Sequence, residues 1–151
     1  MKKILVTTDL SEESKVAFAE AKKLAKVFDA DITVLAVIED PSQAAMVYAM
    51  EFPILPNADI RKQFREKVED ELSRVVETEF ASMRVKSVVR EAQGPVHSEV
   101  TDFAEKQDMD LIVLATHGRT GIKHLVIGSV AERIARNASC PVLVVPTLKK
   151  N

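Results

Sequence analysis

Residues 111–129 read LIVLATHGRTGIKHLVIGS, and the order of apolar residues and glycines in this stretch is the clearest structural signal in the chain. It begins with the uninterrupted apolar run Leu111–Ala115, which is typical of a strand buried on both faces of a parallel sheet. A loop follows that holds three of the four glycines and ends at Gly128-Ser129, directly before a helical pattern that extends to Ala138. The stretch therefore predicts a strand, a glycine-containing loop and a helix, in that order.

The same alternation of short apolar runs and helical patterns extends over the rest of the chain. Further strands are predicted at Lys3–Thr8, Ile32–Ile38, Val85–Glu91 and Val142–Val145. Further helices are predicted after an N-cap at Ser11, over Ile60–Met83 and after Gly94-Pro95. The pattern predicts an α/β fold, an open parallel five-stranded sheet with helices on both faces, in a single domain spanning residues 1–151.

The segment from Glu39 to Asp59 breaks this alternation. It contains three of the six prolines, which favour irregular structure, together with the apolar or aromatic residues Met46, Val47, Tyr48, Met50 and Phe52. Two hypotheses follow: a short helix or flap folded onto the core, or a cover over a ligand or partner surface. We favour the first, because apolar residues in such segments usually pack against a core.

Composition and charge exclude several classes of protein. Hydrophobic residues make up 46% and charged residues 29% of the chain, as in folded domains rather than disordered ones. The net charge of −2 lacks the positive excess of a sequence-independent nucleic-acid binder. No apolar run approaches the roughly 20 residues of a membrane span, and Ile4–Val6 is too short for a signal-peptide core. The chain has one cysteine, Cys140, which we interpret as a packed structural thiol. Together these features predict a cytosolic protein without membrane or nucleic-acid partners.

The ends of the predicted strands indicate where a ligand would bind. Open parallel sheets bind ligands at the carboxyl ends of strands, where the strand order reverses. If the first and fourth strands are neighbours, Thr8-Asp9 lies beside the glycine loop at that point. A helix that starts at Gly128-Ser129 would present N–H groups and a hydroxyl to a phosphate.

The residues alone leave this interpretation open. Arg119, Lys123 and His124 add positive charge near the proposed phosphate position. An ordinary turn at Gly118 and Gly121, with Ser129 as an N-cap, explains the same stretch equally well. The sequence contains no GxxxxGK[ST] phosphate loop, no glycine-rich first strand–helix turn and no Gly-x-Ser-x-Gly nucleophile motif.

Three stretches carry a resemblance to a known family. The sequences KILVTTDLSEES (3–14), ITVLAVIED (32–40) and VLATHGRTGIKHLVIGSVAERIARNASCPVLVVP (113–146) resemble universal stress proteins. ATP-binding members of that family carry Gly, two residues, Gly, nine residues, Gly, then Ser or Thr. Gly118, Gly128 and Ser129 match this pattern, whereas Ala115 replaces the first glycine and Thr7 replaces a proline that usually precedes the aspartate by two residues.

The resemblance implies a Rossmann-like fold of the adenine nucleotide alpha hydrolase-like type, and a set of nucleotide-binding residues. It implies that Asp9 lies at the nucleotide, that the Val37 backbone contacts adenine, and that N–H groups of the glycine loop contact phosphates. The residues so assigned are Thr8, Asp9, Val37, Ala115, His117, Gly118, Arg119, Gly128, Ser129 and Val130. His117 has two interpretations that remain open, as a residue that orients the nucleotide loop or as an ordinary loop histidine.

The resulting functional hypothesis is a cytosolic stress-response sensor or regulator that binds ATP with Mg²⁺ or Mn²⁺. The alternative is a dimeric interaction module of the same fold that binds no nucleotide, and a third hypothesis is a weak ATPase. The sequence places no general base with a water-positioning partner opposite a γ-phosphate, which disfavours turnover. The apolar final strand Val142–Val145 predicts a homodimer, because an exposed strand edge favours pairing with a second copy.

Overall fold

The computed structural model describes residues 1–39, 58–116 and 127–147. The strands and helices in chain order are β1 (Lys3–Thr8), α1 (Val16–Phe28), β2 (Asp31–Ile38), α2 (Ala58–Glu79), β3 (Val85–Glu91), α3 (Val96–Lys106), β4 (Leu111–Ala115), α4 (Ser129–Asn137) and β5 (Val142–Val145). All five predicted strands are confirmed. Residues 40–57 hold nearly all of the segment predicted to be irregular, so both hypotheses about it concern residues outside the described ranges.

The strands form one parallel sheet in the order β3-β2-β1-β4-β5. In the central strand β1, Ile4 lies opposite Ile32 of β2 on one side and opposite Leu111 of β4 on the other. β3 and β5 form the two edges of this sheet, as predicted for β5. The arrangement confirms the α/β architecture and the pairing of the first and fourth strands.

Side chains of the central strand alternate between two cores. Ile4 and Val6 pack with Phe18 beneath α1 and α2, whereas Leu5 packs with Phe103 of α3 and Ile134 of α4 on the opposite face. Ile4, Leu5 and Val6 are each 0% exposed. A parallel strand covered on both faces must be apolar at consecutive positions, which is why β1 reads as an apolar run rather than an alternation.

Two helix ends differ from their predicted positions. α1 was predicted to begin directly after Ser11, but a 3₁₀ turn, Glu13–Lys15, precedes it. Ser11 Oγ accepts a hydrogen bond from the Ser14 N–H at 3.2 Å, so Ser11 stabilises this tighter turn, whose N-cap residue is Glu12. α2 ends at Glu79 and not at Met83, which packs on the first core from the turn before β3. Met83 continues the spacing of apolar residues along α2, so the sequence pattern predicted a helix that was too long.

The carboxylate of Asp110 joins two central strands at the amino-terminal edge of the sheet. Asp110, just before β4, accepts hydrogen bonds from the N–H groups of Lys2 at 2.6 Å and Lys3 at 3.0 Å. These two bonds lower the pKa of Asp110, because they favour its charged form. The contact joins the starts of β1 and β4 at the edge opposite the predicted ligand site.

Candidate functional site

Two central strands end side by side at the carboxyl edge of the sheet. β1 ends at Thr8, its parallel neighbour β4 ends at Ala115, and each strand is followed by a helix. α1, which follows β1, covers one face, and α4, which follows β4, covers the other. The strand order therefore reverses between β1 and β4, the position at which open α/β sheets bind ligands. Thr8, Asp9 and Ala115 lie at this position, as predicted.

The turn after β1 is built around Thr8, which is 7% exposed. Thr8 Oγ1 accepts a hydrogen bond from the Leu10 N–H at 3.0 Å and lies 2.7 Å from the hydroxyl of Ser14. Leu10 takes a left-handed backbone conformation with φ 65°, which is uncommon for a residue with a side chain. The Thr8 side chain thus holds the chain in a sharp turn immediately beside Asp9.

Asp9 makes two bonds to a neighbour in this turn. Its Oδ1 accepts hydrogen bonds from the Ser11 N–H at 3.1 Å and from the Ser11 hydroxyl at 2.5 Å. A carboxylate oxygen that receives two donors is held in one orientation. The end of β1 therefore presents an oriented carboxylate at the switch point.

The start of α4 lies against the end of β4. The Gly128 N–H donates to the Thr116 carbonyl oxygen at 2.9 Å, and the Gly128 carbonyl accepts from the Glu132 N–H at 2.9 Å. A Cβ added to Gly128 would lie 3.0 Å from the same Thr116 oxygen. The close approach favours glycine for reasons of space, since its φ of −60° is open to any residue.

The start of α4 contradicts part of one interpretation that the sequence left open, in which Ser129 is an ordinary N-cap. Gly128, and not Ser129, occupies the N-cap position, and no side chain of the described ranges caps α4. Ser129 is the first helical residue and is exposed, and Val130 is 41% exposed. The N–H groups of the first turn of a helix have no acceptor within the helix. The role of Ser129 as an ordinary N-cap is therefore wrong.

Thr116 connects three elements at this edge. Its N–H donates to the Val145 carbonyl at 2.9 Å, and its Oγ1 accepts from the Thr147 N–H at 3.1 Å. With the Gly128 bond to its own carbonyl, Thr116 ties together the ends of β4 and β5 and the start of α4. Thr116, Thr147 and Ser14 were not predicted as site residues, because their partners are recognisable only from contacts that the fold creates.

The remaining predicted residues divide into two groups. Val37, near the end of β2, is half-buried against the second core, and Ala115 is half-buried opposite Val145 of β5. His117, Gly118 and Arg119 lie outside the described ranges, as do Gly121, Lys123 and His124. The structure thus brings Thr8, Asp9 and Ala115 to the same edge as the turn that leads into α4.

Cys140 packs against the second core and is a free thiol. Its partial burial, with a smaller contribution from the charge of Asp110, raises the pKa of the thiol. A thiol with a raised pKa is a poor nucleophile, which agrees with the predicted structural role.

The comparison with known proteins gives the family. Residues 1–146 match the model of the universal stress protein family. Universal stress protein MJ0531 of Methanocaldococcus jannaschii is 34% identical over 149 residues, which cover 99% of this chain and 84% of that protein. The chain belongs to the universal stress protein family.

Solved structures confirm the fold. The structure of MJ0577, a universal stress protein of Methanocaldococcus jannaschii, is 26% identical with a TM-score of 0.77, and the match covers 99% of this chain and 97% of that one. A universal stress protein in complex with cAMP is 20% identical with a TM-score of 0.70 over 97% and 98% of the two chains. The universal stress protein from Archaeoglobus fulgidus in complex with dAMP is 16% identical with a TM-score of 0.65 over 96% and 98%. At these last two identities the likeness establishes the shared fold alone.

Two kinds of feature are absent from the described ranges. None of the helices there has both the length and the apolar character that a bilayer span requires. Those ranges also hold no group of three or more His, Cys, Asp or Glu side chains arranged to bind a metal ion.

Proposed function

We propose that this chain binds ATP at the carboxyl edge of β1 and β4 and acts as a nucleotide-dependent regulator in the cytosol. The observation that carries the proposal is the close contact between Gly128 and Thr116, which sets the start of α4 against the end of β4. A helix N-terminus that follows a glycine beside the switch point of an open sheet is a favourable position for phosphate.

The chemistry of the helix start supports phosphate as the ligand group. The first-turn N–H groups of α4 carry the partial positive end of the helix dipole. Ser129 and Val130 are exposed there, so their N–H groups and the Ser129 hydroxyl are available to a phosphate. Gly118 and Arg119 would complete the loop, as the family pattern implies.

Two related structures support an adenine nucleotide in particular. Universal stress proteins of the same fold have been solved with cAMP and with dAMP. Both ligands contain adenine and a phosphate, the two groups that the predicted contacts of Val37 and the glycine loop would recognise. ATP would add the β- and γ-phosphates, which the N–H groups of α4 would stabilise.

The residues present fit a divalent cation that arrives with the nucleotide. Mg²⁺ in nucleotide sites is typically held by one or two carboxylates together with phosphate oxygens and waters. Asp9 supplies one carboxylate at the switch point, oriented by its two bonds from Ser11. The cation, Mg²⁺ or Mn²⁺, would neutralise phosphate charge, and Asp9 would hold it directly or through a water.

The exposed edge of the sheet supports a homodimer as the assembly of this regulator. β5 is an edge strand, and its Leu143 is 36% exposed whereas Val142 and Val144 pack against the second core. An apolar edge with unpaired backbone groups is well suited to pair with the same strand of a second copy about a two-fold axis.

The cysteine content supports the cytosol as the compartment of this regulator. A single cysteine is consistent with a reducing compartment such as the cytosol.

Calorimetric titration with Mg·ATP tests the nucleotide proposal, with mass spectrometry of the denatured protein to detect co-purified nucleotide. Wild type is expected to bind ATP, and Ala115→Gly is expected to tighten binding by less than about tenfold, or 1.4 kcal/mol. An absence of binding at millimolar ATP in the wild type, with binding gained by Ala115→Gly, would refute the proposal. It would favour the alternative of an interaction module without nucleotide.

A further inference from the structure

Two hydroxyl groups lie buried beside the proposed site. Among the residues that the structure describes, Thr8 and Ser14 are the buried polar side chains, at 7% and 4% exposure. Burial of a hydroxyl is unfavourable unless it forms hydrogen bonds, and an apolar pair of similar size would pack here without that requirement. Their oxygens are 2.7 Å apart, so each satisfies the other.

The hydrogen positions of this cluster follow from counting donors. The Ser14 hydroxyl donates its one hydrogen to the Ser11 carbonyl oxygen at 2.8 Å, so in the Thr8–Ser14 pair the hydrogen must come from Thr8. Thr8 Oγ1 in turn accepts from the Leu10 N–H at 3.0 Å. Both buried hydroxyls therefore act as donor and acceptor at once, and the direction of every bond is determined.

The cluster ends at a carboxylate. Ser11 is held from one side by Ser14, whose N–H donates to Ser11 Oγ at 3.2 Å and whose hydroxyl binds the Ser11 carbonyl. On the other side, the Ser11 hydroxyl and N–H both donate to Asp9 Oδ1, at 2.5 and 3.1 Å. Ser11 thus connects the buried Thr8–Ser14 pair to Asp9.

We propose that Ser11 is a positioning residue for the Asp9 carboxylate, and that the buried Thr8–Ser14 pair holds Ser11 in place. The inference deepens the proposed function and rests on it, because Asp9 is there assigned to the nucleotide and its cation. A carboxylate on a turn whose Leu10 has φ 65° has no helix or strand to orient it. The hydroxyl and N–H of Ser11 both contribute to the orientation of this carboxylate.

A purely structural role for Ser11 makes a different prediction. If Ser11 served only to stabilise the 3₁₀ turn, loss of the Ser11 hydroxyl would lower thermal stability and leave the pKa of Asp9 unchanged. If it positions the carboxylate, the lost hydroxyl bond removes stabilisation from the charged form, and the pKa of Asp9 must rise. The pKa of Asp9 therefore separates the two roles.

The experiment compares Ser11→Ala, the conservative variant Ser11→Thr and the control Ser98→Ala. The control removes the same atom from a half-buried serine on α3. NMR titration of the carboxyl carbons, without nucleotide, is expected to show the pKa of Asp9 raised by about 1 in Ser11→Ala, since loss of a bond to a charged group has roughly that size. Ser11→Thr is expected to restore the wild-type value, and Ser14→Ala to raise the pKa by a smaller amount.

Titration with Mg·ATP forms the second part. Affinity is expected to fall about tenfold in Ser11→Ala and to recover in Ser11→Thr, with Ser98→Ala unchanged. An Asp9 pKa in Ser11→Ala equal to that of the wild type would overturn the inference. So would an undiminished ATP affinity in that variant. If wild type itself binds no ATP, the proposed function fails, and the Asp9 pKa then decides alone whether Ser11 positions the carboxylate.

Discussion

Replacement of Gly128 by alanine is the sharpest perturbation of the proposed phosphate position. The new Cβ would lie 3.0 Å from the Thr116 carbonyl oxygen, about 0.4 Å closer than the 3.4 Å at which ordinary contacts begin. The Gly128 N–H donates to that same oxygen at 2.9 Å, so relief of the contact must move the start of α4 or the end of β4. If the start of α4 moves, an N–H group of its first turn loses its bond to the charged phosphate. A bond of this kind contributes about 1.5–3 kcal/mol to binding. ATP affinity is therefore expected to fall at least tenfold.

Gly94→Ala is the matched control for this substitution. A Cβ added at Gly94 meets nothing within 4 Å, and both substitutions gain a similar stabilisation of about 0.4–1 kcal/mol by restricting the unfolded chain. The difference in unfolding free energy between the two variants thus isolates the contact with Thr116. Calorimetry gives the affinities and thermal denaturation gives the stabilities. If Gly128→Ala binds Mg·ATP as tightly as Gly94→Ala, the phosphate position assigned to the start of α4 is refuted.

Three further predictions concern the connections around the sheet. Thr116→Val removes the acceptor of the Thr147 N–H. Urea titration is expected to show an unfolding free energy lower by about 1–2 kcal/mol, and an unchanged midpoint would show that this bond contributes nothing. Leu143→Lys places a charge on the outward side of β5 and is expected to shift sedimentation at micromolar concentration from dimer to monomer, whereas a wild-type monomer would contradict the proposed assembly. Asp110→Ala is expected to lower Tm at pH 7. Because the folded pKa of Asp110 is lowered, its stabilisation is present above the unfolded value of about 3.9 and is lost as pH falls through the folded pKa, so a Tm difference that persists unchanged at pH 3 would contradict this account.

The fold was predictable because its signals are local. β1 and β4 lie in the sheet interior with helices on both faces, so consecutive positions such as Ile4, Leu5 and Val6 must all be apolar. A hydrophobic pattern of that kind is readable in the sequence before any contact is known. Helix ends were less predictable. α1 begins only after the Glu13–Lys15 turn, and Gly128 rather than Ser129 is the N-cap residue of α4. At the end of α2, Met83 packs on the core from a turn and continues the helical spacing by coincidence.

The candidate site was predictable in outline. Its location followed from the sheet rule and from the glycines before Ser129, and its assignment to a nucleotide followed from the family pattern. The family pattern names residues that the proposed function places beside a nucleotide, and these include Asp9 and Gly128. It contains no information on the groups that support them, which is why Ser11 was read as the cap of a helix and Ser14 received no role.

The sequence by itself determined the order and kind of the structural elements, because hydrophobic period and turn residues act over a few positions of the chain. Only the tertiary structure decided which hydrogen bonds hold the site together. Thr116 and Thr147 are 31 residues apart, and the bond between them exists because β4 and β5 end at the same edge. The network that links Thr8 to Asp9 lies within residues 8–14, yet the directions of its hydrogen bonds depend on the burial of Thr8 and Ser14. Burial removes water as an alternative partner, and so it turns a set of flexible hydroxyls into one fixed arrangement.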